Sequence, residues 1–317
     1  MVPGAGGQRR PIILDVDTGV DDALAIVLAL RSPTLQVVGI TTVSGNVDLD
    51  QATANTLLTL DVLGAPPIPV VRGAEKPLAR RASLTATHVH GGDGLGGVRS
   101  RYPVSSRQAT DGASRFLLEM IRRHPGILTL VATAPLTNVA QALREDPDTM
   151  RQLGGIIVMG GALRVPGNVG PVSEFNFAVD PDAAAIVVRA GLPLRLLPLD
   201  VTEQVTLTED ALAASGHDGP VAGFVRDISA FTMQFHRERE GVAGIFLHDP
   251  LAVGVVAEPA LVRDEAVPID VECRGELTAG MLVADRRRRS RGRPTTRVGT
   301  GVDAPRFLEL FTRHVLG

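Results

Sequence analysis

Short apolar runs punctuate the chain at Ile12–Val16, Val37–Thr42, Ile68–Val71, Leu128–Ala132, Ile156–Met159 and Leu194–Leu199. Several are apolar at consecutive positions instead of alternate ones, the mark of strands covered on both faces. Longer stretches of helical character lie between them. Asp21–Leu30 stops before Ser32-Pro33, and Asp48–Leu63 meets Gly64 just past its end. Ala113–His124 stops before Pro125-Gly126. Asp180–Ala190 opens with Asp180 as N-cap and Pro181 at the first helical position, then closes at Gly191. This strand-then-helix rhythm predicts an α/β fold: an open, mostly parallel, Rossmann-like central sheet with helices on both faces. No long linker divides the chain, so residues 11–317 read as a single domain behind a flexible stretch at 1–10. Gly73–Arg107 and Gly160–Ala178 read as long loops, and loops of that length in a compact domain are usually functional or disordered.

Composition narrows the function classes. The chain has 317 residues, is 44% hydrophobic and carries a formal net charge of -3, which leaves no electrostatic footprint for nucleic acid. Cys273 is the only cysteine, so neither an intrachain disulfide nor a cysteine metal cluster can form. The opening MVPGAGGQRRP lacks an apolar signal core, and no uncharged apolar run approaches the roughly 20 residues a membrane span needs. A soluble cytoplasmic protein with no membrane partner is expected. The basic run Asp285–Pro294 carries no aromatic residue to stack bases and reads as a solvated loop.

The chemistry concentrates after the first strand. LDVDTGVDDALA places Asp15, Asp17, Asp21 and Asp22 within eight positions. If Leu14 closes that strand, the acids span the turn and the start of the next helix, where α/β sheets bind ligands. A helix N-terminus accounts for Asp21 and Asp22, one as N-cap and one as a first-turn acid. It does not account for Asp15 and Asp17, because an unpaired buried carboxylate is costly. A hard cation, calcium or magnesium, resolves the repulsion with all-oxygen ligands. A strand followed by DxD also opens haloacid-dehalogenase-like Mg²⁺-dependent phosphatases. That pattern expects Thr or Val where Gly19 stands and a downstream lysine, whereas Lys76 is the only lysine and comes early.

Distant segments bear on the choice. TTVSGN (Thr41–Asn46), VATAPLTN (Val131–Asn138), VMGGA (Val158–Ala162), GNVGPVSEFNFAVDPDAA (Gly167–Ala184) and FLHDPLAV (Phe246–Val253) follow successive strands. Singly, Asn46 could cap a helix and His248-Asp249-Pro250 could be an N-cap before a proline-started helix. Together they place Asn, Glu, His and Asp around a pocket suited to a hydroxyl-rich ligand.

From about Pro11 to the C-terminal helix the sequence resembles the inosine–uridine-preferring nucleoside hydrolase family. DVDTGVDDALA is similar to that family's DxDxxxDDAxA signature, with Thr18 where proline is common, and SEFN and HDP follow in the right order and distances. The resemblance implies calcium-dependent hydrolysis of the N-glycosidic bond of ribonucleosides to ribose and free base, in nucleoside salvage, by a homodimer or homotetramer. One Ca²⁺ per subunit would be held by Asp17, Asp22, the Thr133 carbonyl and Asp249. Asp17 would also be the general base, and His248 would protonate or hydrogen-bond to the departing base. Asp21, Asn46, Asn168, Glu174 and Asn176 would grip the ribose, with Met159 lining its pocket and Asp15 as a support behind the ligands. His88 and His90 lie in the loop that borders the base; a base-pocket role and a packing role stand level. A calcium-dependent nucleoside- or ribose-binding protein without catalysis is the non-enzyme alternative.

The sequence departs from the family at one place. Tyrosines are expected shortly before HDP, but Phe231–Pro250 holds none, and Tyr102 is the only tyrosine in the chain. Phe231, Phe235 or His236 could replace them, or HREREG could be a solvated turn. Base preference is therefore open at this point. His217, in ASGHDGP, reads as an exposed turn residue.

Overall fold

The computed structural model describes residues 9–80, 84–214, 219–287 and 296–317. The first apolar run forms β1 (Arg10–Val16). Neighbouring side chains on a strand point to opposite faces. Ile12 and Leu14 accordingly enter the apolar cluster on one side of the sheet and Ile13 the cluster on the other. Each is almost wholly removed from water, which contributes about 2 kcal/mol per side chain. The consecutive apolar pattern thus has the expected cause.

The remaining strands of the main sheet are β2 (Leu35–Thr42), β3 (Val70–Arg72), β4 (Thr110–Asp111), β5 (Thr129–Ala132), β6 (Gly155–Met159), β7 (Leu194–Leu197), β8 (Val262–Ala266) and β9 (Arg297–Val302). Their order is β8-β9-β7-β6-β5-β1-β2-β3-β4. Every pairing is parallel except β8 with β9. The helices that matter for function are α1 (Val20–Arg31), α2 (Leu49–Val62), α3 (Thr87–His90), α4 (Ala113–Arg123), α5 (Thr137–Glu145), α6 (Phe175–Val179), α7 (Pro181–Arg189), α8 (Pro220–Arg239) and α9 (His248–Ala257). α1, α8 and α9 bury apolar residues beside Ile12 and Leu14, while α4, α5 and α7 do so beside Ile13. The expected doubly covered sheet is present.

Local signals place the helix ends. Asp48 accepts from the Gln51 amide at 2.8 Å and Asp180 from the Ala183 amide at 3.0 Å, so both are N-caps. Gly64 and Gly191, at φ +56° and +69°, take the left-handed position just past the caps, where a Cβ would be strained.

Several boundaries move. Ile68 is flanked by Pro67 and Pro69, which offer no amide, so the third strand starts at Val70. Pro198 ends β7 at Leu197 and opens a helical turn, Leu199–Thr202. β1 runs to Val16, so Asp15 lies in the strand and not in the turn. It also begins at Arg10, inside the stretch expected to be flexible, while residues 1–8 lie outside the described residues. The basic run beyond Arg287 and His217 also lie outside them. The two long loops hold α3 and the start of α6. Among the described residues no helix is long and apolar enough to cross a membrane.

The chain leaves β1 through α1 toward β2, then returns after β4 to β5 on the opposite flank of β1. The carboxyl ends of β1 and β5 therefore flank the point where the order reverses, the crevice in which open α/β sheets bind ligands.

Candidate active site

Gly19, not an aspartate, takes the N-cap position of α1, which overturns the capping expectation. Asp22 sits at the third helical position and accepts from the Gly19 amide at 3.0 Å and the Thr133 hydroxyl at 3.0 Å. Asp17 is held by Asn46, whose amide donates at 2.6 Å and whose side-chain nitrogen donates at 3.2 Å. Gly45 permits that approach, since a Cβ there would collide with Asp17 Oδ2. Asn46 therefore serves the acid cluster, and Asp48 takes the capping role. His248 and Asp249 belong to the first turn of α9 and cap nothing; Leu247 precedes them.

These elements bring four buried carboxyl groups together. Asp21, Asp22 and Asp249 each place one oxygen within 4.8 Å of the others. Asp17 lies beside Asp22, within hydrogen-bonding reach. Asp21 thus stands in the acid cluster as well as on the crevice wall. Burial, with mutual repulsion, raises Asp17 and Asp249 well above the usual carboxylate range and Asp22 to about 6. Burial raises Asp21 as well. Asp15 accepts from Thr41 at 2.6 Å and Asn138 at 2.8 Å through one oxygen, while its other oxygen is buried without a partner. It ties β1 to β2 and α5 next to the cluster, a supporting place, and burial moves it to about 6.

A crevice opens over this cluster. Asp21, Asn46, Met159, Asn168, Glu174 and Asn176 line it, as expected for a ribose wall. Glu174 caps α6, accepting from the amides of Asn176 (2.8 Å), Gly161 (2.9 Å) and Phe177 (3.2 Å). Burial still pushes it up to about 7, because desolvation outweighs those three donors. Asn176 donates to the carbonyls of Thr133 (2.8 Å) and Met159 (3.3 Å). The Thr133 carbonyl keeps a second lone pair.

The histidines divide by environment. His248 Nδ1 pairs with the Thr202 hydroxyl at 2.8 Å, and burial lowers its pKa to about 3. His90 Nδ1 accepts from the Val20 amide at 3.1 Å, and burial lowers it to about 4. It serves packing at the head of α1 and the pocket wall at once. His88 is exposed on the rim, edge-on to Phe235 with ring centres 5.7 Å apart.

Where tyrosines were expected, Phe235 and His236 line the crevice, whereas Phe231 faces outward. HREREG is no turn over most of its length: α8 continues through Arg239 and Glu240 is its C-cap. Tyr102 is engaged elsewhere, with Asp227 at 2.9 Å. Phe246, Glu203 and Thr202 were missed. Thr202 and Glu203 follow β7 as the recognised segments follow their strands, so the same placement argument reaches them.

Among the described residues, no arginine or lysine lines the crevice. Four buried carboxyls, among them Asp21 with an orphaned oxygen, and a backbone carbonyl form an all-oxygen donor set that fits a hard divalent cation.

The comparisons with known proteins bear on the family. Residues 12–309 match the family model of the inosine-uridine preferring nucleoside hydrolases. A pyrimidine-specific ribonucleoside hydrolase of Shewanella sp. (strain MR-4) is 40% identical over 96% of this chain and 95% of its own. The inosine-uridine preferring nucleoside hydrolase of Crithidia fasciculata is 36% identical over 94% and 95%. Among solved structures, a purine-preferring ribonucleoside hydrolase from Gardnerella vaginalis superposes with a TM-score of 0.90 at 35% identity, covering 97% of this chain and 98% of that one. With its sheet order, its carboxylate cluster and these matches, the chain belongs to the inosine–uridine preferring nucleoside hydrolase family of enzymes.

Proposed function

We propose that this protein hydrolyses the N-glycosidic bond of ribonucleosides to ribose and free base, with one calcium ion per subunit held by Asp17, Asp22, Asp249 and the Thr133 carbonyl. One observation carries the reading: buried carboxyls converge at the switch point, beneath a polar crevice that no arginine or lysine lines among the described residues. The fold alone would not suffice, since such folds host many chemistries. Calcium suits a donor set built wholly from oxygen. Bound there, it would polarise a water and anchor ribose hydroxyls.

The chain's own groups then have distinct tasks. Asp17 takes the proton of the attacking water; Asn46 fixes its orientation while leaving lone pairs free. Asp21, Asn46, Asn168, Glu174 and Asn176 receive the ribose hydroxyls. Glu174, when ionised, opposes the positive charge that grows on the ring as the bond breaks. His248 is neutral near pH 7. In the tautomer in which the Thr202 hydroxyl donates to Nδ1, the ring proton sits on Nε2 and supports the leaving base by hydrogen bonding. Lys76 is exposed and outside the crevice, so the phosphatase alternative has no cation for its phosphoaspartate. The same reading carries a cytoplasmic role in nucleoside salvage and assembly as a homodimer or homotetramer. The relatives' names include pyrimidine-specific, purine-preferring and uridine enzymes, so the base is not fixed by likeness.

The test is ribose release from a panel of ribonucleosides, measured as reducing sugar, for wild type and Asp17→Ala, before and after chelation. Release that needs both Asp17 and calcium is expected. Calcium-dependent nucleoside binding without release would favour the non-catalytic reading, and the absence of both release and binding would overturn both readings.

A further inference from the structure

The outer half of the crevice has a chemistry of its own. Glu203 ends the helical turn Leu199–Thr202, and Glu240 ends α8; both line the crevice. Glu203 is about half-buried and its carboxyl has no hydrogen-bond partner among the described residues. Burial, with Glu240 and Asp200 nearby, pushes it up to about 7. Glu240 lies 3.9 Å from Nε2 of His236. His236 Nδ1 is 3.2 Å from the Gly244 carbonyl, which can only accept, so Nδ1 carries the proton. In the neutral ring Nε2 is then an acceptor. Thr232 spends its hydroxyl proton on the Val89 carbonyl at 2.9 Å. Phe235 and Phe246 supply flat apolar faces. The outer wall therefore offers hydrogen-bond acceptors between aromatic surfaces, and Glu203 adds negative charge once the pH stands above its raised value.

We infer that Glu203 and Glu240 are specificity-determining residues that favour nucleosides whose base carries an exocyclic amino group over their oxo counterparts. The inference rests on the ribonucleoside-hydrolase reading above and names the substrate class within it. An amino group donates N–H to a carboxylate. A carbonyl oxygen brought to the same place faces lone pairs and forfeits its own hydrogen bond. Because these contacts lie at the far edge of the base, they act on binding more than on the bond-breaking step.

The experiment measures kcat and KM at about pH 8.5, above the raised Glu203 value so that its carboxyl is ionised, with two matched pairs, cytidine against uridine and guanosine against inosine. The proteins are wild type, Glu203→Gln, Glu240→Gln and the double variant, with circular dichroism to verify folding. A charged hydrogen bond at a half-exposed site predicts about a tenfold preference in kcat/KM for the amino member. Glutamine keeps the size and adds a donor for the carbonyl, so the double variant should bring the ratio near unity, mainly through KM. Preference for the oxo members, or a ratio unmoved in the double variant, overturns the inference. Equal loss of kcat for both members with the ratio unchanged does so too, because it makes Glu203 a support for Thr202 and His248. If no nucleoside is cleaved, the hydrolase reading fails. Calorimetric binding of the same four nucleosides then decides the wall separately: tighter binding of the amino members, lost in the double variant, supports it, and equal binding overturns it.

Discussion

Buried acids are handled in opposite ways at two places in this molecule. At the sheet edge the side chain of Asp264 of β8 is largely covered, but Arg195 of β7 meets it at 2.7 Å and Arg297 of β9 pairs with its other oxygen. The chain supplies its own counter-charge. At the switch point Asp17, Asp21, Asp22 and Asp249 are buried and, among the described residues, no guanidinium or ammonium lines the crevice above them. Asp180 shows a third solution: it is fully buried yet accepts from Leu78, Thr137 and Ala183. Desolvating an unpaired carboxylate costs several kcal/mol, so an arrangement left unbalanced within the chain marks a place where something else completes it. The difference separates acids that the chain balances itself from acids that it leaves unbalanced.

The largest effect is expected where the crowding is tightest. Gly45 has no left-handed backbone, so replacing it acts by collision alone. Gly45→Ala should displace the Asp17 carboxyl and lower kcat by about a hundredfold or more, as a misplacement of about 1 Å can do. Ribose release measured at saturating substrate checks this, and near-normal kcat would mean that the Asp17 position is not critical. Next, Asp249→Asn removes one of the mutually repelling charges. Without metal the variant should melt no lower than wild type. Wild type should gain about 2.7 kcal/mol when calcium stands at 100 times its Kd, and the variant should lose most of that gain. Thermal melts with and without calcium decide it; a retained shift would take Asp249 out of the metal site.

The sheet edge should respond the other way. Asp264→Ala leaves the half-buried Arg195 without its partner and should lower stability by about 2–3 kcal/mol in urea unfolding. It should leave the calcium-induced melting shift intact. A variant as stable as wild type would show that Arg195 finds water on its own, and the contrast between the two regions would lose one side.

How legible each region was follows from how its residues are distributed. The acid cluster was visible because Asp15 to Asp22 are neighbours in sequence and follow a run whose apolar character is continuous. The capping detail was not visible, because Gly19 has no side chain to advertise it. The sheet edge was missed: β8 reads Val-Arg-Asp-Glu-Ala, and nothing in that polar run signals that Asp264 is matched by arginines on two other strands. The outer wall was hidden for a similar reason. Glu203 comes from a short turn and Glu240 from the end of a long helix, and only folding brings them to one crevice. Periodicity reports which face is covered; it does not report which charges meet.

The smallest effect tests the same distinction at the surface. Asp146 caps the short helix Pro147–Met150, accepting from the Thr149 hydroxyl at 2.6 Å, the Thr149 amide at 2.9 Å and Arg122 at 2.7 Å. Those donors, led by the Thr149 hydroxyl, lower its pKa to about 2 from the ordinary 3.8. A carboxyl lowered in the folded state stabilises fully above its unfolded pKa and loses that contribution as pH falls through the folded value. The melting difference between wild type and Asp146→Asn should therefore be small and level from about pH 7 to about pH 5, then shrink between about pH 4 and about pH 2. A difference that grows on acidification would place Asp146 with the repelled acids of the crevice, whose raised pKa values carry the opposite sign. A difference that ignores pH would mean that asparagine caps this helix as well as the charged carboxylate does, and that Arg122 adds nothing to it.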